Sequence, residues 1–141
     1  IMLFVVLDQT LKIDQPPDSP VVYAGAARWL TENTPPSSLV FNADWDDFPM
    51  LFFHDSHNAY VSGLDPTYLL YANRESAEEY GRICAGEVQD PGRLISGRFG
   101  ARFAVSAKDV EHDEFIRRAR ADRSMKSVFE DDHAVVFEIL P

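Results

Sequence analysis

The sequence predicts an α/β fold: a layered domain with a small mixed sheet, parallel core strands, flanking helices and a C-terminal β-hairpin. Three observations predict it. Short apolar runs at 38–42, 59–63 and 101–106 are bounded by turn residues and are too brief for helices. Segments with helical spacing or helix caps lie between them. The closing "SVFEDDHAVVFEIL" sets two β-rich runs about a short acidic turn. Strands that alternate with helices and end in a hairpin give a parallel core with an antiparallel edge.

In order along the chain, "DSP" at Asp18 to Pro20 supplies a cap and a proline suited to a first turn. Val22, Ala26 and Trp29, with Tyr23, Ala27 and Leu30, then repeat at helical spacing. That helix should end by Asn33, before "TPP". "SLVFN" (Ser38 to Asn42) reads as a buried strand. Asp46 or Asp47 can cap a helix that accepts Pro49 in its first turn and runs through "MLFFH". "AYVSG" is a second strand, and in "LDP" Asp65 can cap and Pro66 can start a short helix. "SAEE" at Ser76 to Glu79 fits a capping box for a helix that Gly86 stops. "DPG" at Asp90 to Gly92 resets the chain, "ARFAVS" is a third strand, and a helix over Asp109 to Ala121 precedes the hairpin.

A chain of 141 residues buries a real core and forms one domain over 18–141. Residues 1–17 open with "IMLFVVL", seven apolar residues that are too few to span a bilayer and lack the basic start of a signal peptide. They read as an apolar segment and linker after a membrane region, or equally as a buried first element. The net charge is −10. Residues 1–70 carry two basic groups against nine acidic, so the acidity is concentrated there. Such a surface repels phosphate backbones and argues against nucleic acid as a partner. The basic cluster of Arg117, Arg118, Arg120, Arg123 and Lys126 follows four acids between Asp109 and Glu114. That order suits a helix dipole rather than a binding patch. The single cysteine, Cys84, excludes an intramolecular disulfide and reads as a small core residue.

The chemistry concentrates in "NADWDDFP", residues 42–49. Ligands of open α/β sheets gather outside the carboxyl ends of the strands. If the first two strands are parallel neighbours, Asp44, Trp45, Asp46 and Asp65 share one rim. Asp44 and Asp46 resemble the aspartate pair of haloacid-dehalogenase-like phosphatases and the DxD of nucleotide-sugar glycosyltransferases. Asp47 and Phe48, however, stand where the first pattern has Thr or Val, and only 43 residues precede Asp44 where the second needs a nucleotide-binding half. A metal site could draw on Asp44, Asp46 or Asp47 with His54, His57 or Asp65. The plainest alternative is that these aspartates cap helices and the histidines lie on the surface.

A wider resemblance lies in "WLTENTP", "VFNADWDDFP" and "GLDPTYL", within Trp29 to Leu69, and in the closing "VFEDDHAVVFEIL". These segments resemble the C-terminal extracytoplasmic part of bacterial GT-C-type polytopic membrane glycosyltransferases. Trp45 and Asp46 are similar, more distantly, to the central Trp-Asp of the WWDYG motif in the oligosaccharyltransferase catalytic subunit. The resemblance implies an accessory domain on the outer face of the inner membrane, inactive alone and without a cofactor of its own. Its partners would be the membrane domain of its own full-length chain and a glycan or peptide acceptor, met through Asp44, Trp45, Asp46, Asp47 and Asp65. The alternative is a small metal-dependent hydrolase or transferase that uses the Asp44, Asp46 and Asp47 cluster with a divalent cation, His54 and His57 completing the ligand set.

Overall fold

The computed structural model describes residues 20–63 and 65–141. The apolar 1–7 segment, the linker to residue 17, the cap expected at Asp18 and Leu64 of "LDP" lie outside the described residues. The α/β expectation holds: a five-stranded mixed sheet is flanked by helices on both faces.

A 3-10 turn at Pro20–Tyr23 leads into α1 (Ala24–Asn33), which stops two residues before the proline pair, with Thr34 between them. Strand β1 (Leu39–Asn42) follows, then α2 (Phe48–His54) with Pro49 in its first turn. Strand β2 is only Ala59–Tyr60, shorter than the apolar run suggested. Helix α3 (Thr67–Ala72) abuts α4 (Arg74–Cys84). The capping box expected at Ser76 is displaced by one turn: Asn73 is the cap, and its side chain accepts from the Ser76 amide at 3.0 Å. The "DPG" reset begins α5 (Pro91–Leu94), which runs into a π-helical turn at Ile95–Phe99. Strand β3 (Phe103–Ala107), α6 (Asp113–Ala121) and the hairpin of β4 (Met125–Glu130) and β5 (Ala134–Ile139) complete the chain. Helix α6 starts four residues later than its charge pattern suggested, because 109–112 close a turn of their own.

The strand order is β2-β1-β3-β5-β4. Strand β1 pairs in parallel with both β2 and β3, and the hairpin adds antiparallel pairs at the edge. Because both faces of the sheet are covered, alternate residues of β1 are buried on opposite sides: Val40 with Tyr23, Leu30 and Leu51, and Phe41 with Tyr80, Ile95 and Phe115. That explains why the strands read as unbroken apolar runs rather than as alternating ones.

Gly86 ends α4 with φ +70, and a Cβ there would lie 2.5 Å from Glu114 Cβ and 2.7 Å from its carbonyl carbon. Gly86→Ala is therefore expected to destabilise the fold by about 2 kcal/mol or more, from left-handed strain plus the clash. Urea unfolding of the variant checks this; an unchanged midpoint would contradict it.

Candidate functional site at the β1/β3 switch point

After β1 the chain moves to β2 on one side, then returns to β3 on the other. The carboxyl ends of β1 and β3 therefore flank a topological switch point, where a crevice opens in sheets of this kind. Two loops meet there, residues 42–47 after β1 and residues 107–112 after β3.

The first loop is held from below. Asn42 is fully buried, and its Nδ2 donates to the carbonyls of Asp44 at 2.6 Å and Ser62 at 2.7 Å. Its Oδ1 accepts from the Ser62 amide at 3.2 Å, and its backbone carbonyl accepts from Tyr80 at 2.9 Å. One side chain thus locks the ends of β1 and β2 together and fixes the backbone from which Asp44 to Asp47 project.

Asp47 occupies the cap position of α2 but makes no capping bond. Its carboxylate instead accepts a short hydrogen bond from Tyr23 Oη, which itself accepts from the Ala107 amide at 3.0 Å. Tyr23 therefore bridges the two loops. The helix begins without a side-chain cap, so the capping role expected of Asp46 or Asp47 gives way to a tertiary one. Burial pushes the Asp47 carboxyl up to about 6; the Tyr23 bond and His112 oppose that rise, and Asp44 and Asp46 reinforce it. Asp46 is raised in the same direction by desolvation and by its closeness to Asp44. Burial beside Asp47 also raises the Tyr23 phenol well above its ordinary value.

His112 comes from the second loop. Its Nδ1 lies 2.5 Å from Asp109 Oδ1, and the same carboxylate accepts from the His112 amide at 3.0 Å. With Nδ1 donating to Asp109, the ring is fixed in orientation and Nε2 points to the opposite side. That Nε2 is buried and has no hydrogen-bond partner. It faces Asp47 Oδ2 at 3.6 Å and Asp44 Oδ2 at 3.9 Å. The described ion pairs of lysine and arginine all go to glutamates; none reaches Asp44, Asp46, Asp47 or Asp109. The cluster is rich in carboxylates, and among the described residues its basic group is His112, with no lysine or arginine ion pair reaching it.

Of the residues singled out from sequence, Asp44 and Asp47 face this centre, Asp46 lies beside Asp44, and Trp45 is exposed in the same loop. Asp65 is engaged elsewhere, accepting from the Thr67 amide at 2.9 Å and from its hydroxyl at 2.7 Å at the start of α3. His57 Nε2 is committed to the Thr34 carbonyl at 2.8 Å, and His54 packs edge-on against Phe53. The proposed set of Asp44, Asp46, His54 and His57 is not brought together; among the described residues no group of three or more His, Cys, Asp or Glu is disposed to hold a metal ion. Burial pushes the Cys84 thiol up to about 12, in keeping with its core packing. Sequence reasoning missed His112, Asp109 and Tyr23. The signal was present as Asp109-x-x-His112 directly after a strand, at a spacing that closes a turn.

No family model and no curated protein matches the chain. A solved structure does: the protein-(glutamine-N5) methyltransferase (release factor-specific) from Alicyclobacillus acidocaldarius subsp. acidocaldarius DSM 446. It is 15% identical with a TM-score of 0.40, over 92% of this chain and 96% of that one. At that level the likeness carries nothing about substrate. It is nonetheless to a methyltransferase and not to a glycosyltransferase domain, so the GT-C resemblance drawn from the Trp29 to Leu69 segments is corrected. The accessory role, the membrane-domain partner, the glycan or peptide acceptor and the outer-face location rested on that resemblance and are withdrawn with it. No helix among the described residues is long and apolar enough to cross a membrane.

Proposed function

We propose that the switch-point cluster is the acid–base site of a small hydrolase or group-transfer enzyme, with Asp47 and His112 as the proton-exchanging pair. The observation that carries this reading is the buried Nε2 of His112, left without a partner between two carboxylates. A buried ring nitrogen without a hydrogen bond forgoes about 1–3 kcal/mol, so such an arrangement points to a ligand that completes it. Asp109 orients the imidazole, as a carboxylate behind a catalytic histidine does. Asp47, raised toward neutrality, can hold or release a proton near pH 6. A hydroxyl, amine or water hydrogen-bonded to an unprotonated Nε2 would pass its proton to His112 as its oxygen or nitrogen bonds to the substrate's acyl or phosphoryl centre. The bond to the leaving oxygen would break as that oxygen takes the proton back from His112, while Asp44 faces the same space.

Turnover of p-nitrophenyl acetate and p-nitrophenyl phosphate, two activated probes, tests this reading. At least one is expected to be hydrolysed, at a rate that falls tenfold or more in His112→Gln and in Asp47→Asn but not in His57→Gln. Equal rates in the wild-type protein and the His112→Gln variant would overturn the assignment.

A further inference from the structure

We propose that the fold carries a second binding site, for a small phosphate monoester, in the groove between Arg93 and Arg102 at the end of the sheet remote from the switch point. Arg102 directly precedes β3, whereas the loop that carries His112 follows it. The strand between them, Phe103–Ala107, sets the two places about 16 Å apart. The site goes beyond the acid–base reading and does not depend on it.

The groove is a cavity of about 350 Å3 lined by Arg93, Ser96, Arg102 and Ser124, with Ile139 and Leu140 where β5 ends. That volume is at the lower end of small-ligand pockets, which run from about 300 to 1,000 Å3. Its two guanidiniums are uncompensated. Arg74, Arg82, Arg98, Arg117 and Arg120 each pair with a glutamate, and Arg118 donates to the Gly86 carbonyl at 3.0 Å. Arg93 and Arg102 make no ion pair or side-chain hydrogen bond among the described residues, and no described Asp or Glu side chain lines their groove. In a chain with 23 acidic and 13 basic residues, two arginines without a carboxylate on one cavity are an exception that a ligand would account for. Arginine offers five N–H donors and no acceptor, in a planar fork that matches two oxygens of one phosphate. Two such forks on one cavity suit a dianion, and the half-exposed Leu140 suits the apolar body that carries it.

The walls of the groove are held in place before any ligand arrives. Buried Asp122 accepts from the Gly92 amide at 2.8 Å, and from the Ser124 amide at 2.8 Å and hydroxyl at 2.7 Å. A Cβ on Gly92 would lie 2.4 Å from Ser124 Oγ, so the backbone next to Arg93 is seated against Ser124 as closely as glycine permits. The Arg102 carbonyl accepts the Ile139 amide at 2.8 Å, and the Ser124 carbonyl accepts the Leu140 amide at 2.7 Å. Both arginines therefore project from pinned backbone, which lowers the ordering cost of binding. A neighbouring cavity of about 330 Å3 shares Arg93 and Ser124 and adds Arg123, but Asp90 and Asp122 line it as well. The anion belongs in the groove without those carboxylates.

The test follows the Arg93 and Arg102 Nε–H signals and the His112 ring 15N signals of the full chain at pH 8 and constant ionic strength. Phenyl phosphate, a dianion at that pH, is titrated beside benzoate and benzyl alcohol. Phenyl phosphate is expected to move both arginine signals saturably, at concentrations at least tenfold below those at which benzoate or benzyl alcohol does so. Arg93→Gln and Arg102→Gln, each read at the remaining arginine, should weaken the response tenfold or more. Arg28→Gln, equal in charge change and outside the groove, should leave it unaltered. The arginine response should also persist at the same affinity in His112→Gln, because the two places are separate. Equal weakening by Arg28→Gln would reveal a diffuse charge effect and overturn the site. Equal affinity for benzoate or benzyl alcohol, or a response confined to His112, would overturn it too. Loss of ester turnover in His112→Gln bears on the acid–base reading alone.

Discussion

Asp55→Ala is expected to cost about 3–5 kcal/mol of stability, enough to unfold a large share of the molecules. Asp55 is 1% exposed and is the acceptor on which the α1–β2 side of the domain converges. Its Oδ1 takes the amides of His57 at 3.0 Å and Asn58 at 3.2 Å and the Thr31 hydroxyl at 3.1 Å. Its Oδ2 takes Asn58 Nδ2 at 2.8 Å and the Tyr60 hydroxyl at 2.9 Å. Asn58 in turn accepts from Thr34 at 2.8 Å, so one carboxylate fixes the turn between α2 and β2 against the end of α1. Alanine strands several buried donors at once, and each lost bond of this charge-assisted kind is worth about 1.5–3 kcal/mol before relaxation. Denaturant unfolding measures the loss; a change below ~1 kcal/mol would show that the network is dispensable.

Asp47→Asn is expected to act in the opposite direction and to stabilise the protein at pH 8 by up to about 3 kcal/mol. The folded carboxyl, at about 6, lies above its ordinary value of 3.8, so the folded state binds the proton more tightly. The cost of the buried charge is fully present above pH 6, declines as pH falls toward 3.8, and is gone below it. The gain from asparagine follows the same course: largest at pH 8 and absent near pH 3.5. Its amide oxygen can still accept from Tyr23, and the backbone carbonyl that receives the Leu51 amide at 3.0 Å is untouched. Thermal melts at pH 8 and pH 3.5 check this. A charge retained at the expense of stability is a mark of functional sites.

Much of the fold was legible because its signals are local. Proline and glycine set the ends of α1 and α4, Pro49 falls in the first turn of α2, and the strands carry unbroken apolar runs because both sheet faces are covered. The rim after β1 was legible for the same reason, since a polar "NADWDD" directly follows an apolar strand. The other half of the site was hidden. Acids before bases over 109–121 spell a helix, and nothing local reveals that Asp109 satisfies the His112 amide, closes a separate turn and delays α6 to Asp113. Tyr23 fits the apolar face of α1, and its hydroxyl contact with Asp47, 24 positions away, is a tertiary fact. His54 and His57 drew attention by residue type alone, yet His57 is consumed by the Thr34 carbonyl.

The central claim, a buried and destabilised Asp47 facing the open nitrogen of His112, is tested most directly by a 13C titration of the Asp47 carboxyl from pH 3 to pH 8. The expected result is a midpoint at about 6, with the His112 Nε2 signal responding to the same step. A midpoint near the ordinary 3.8, with the His112 ring indifferent to it, would contradict the claim.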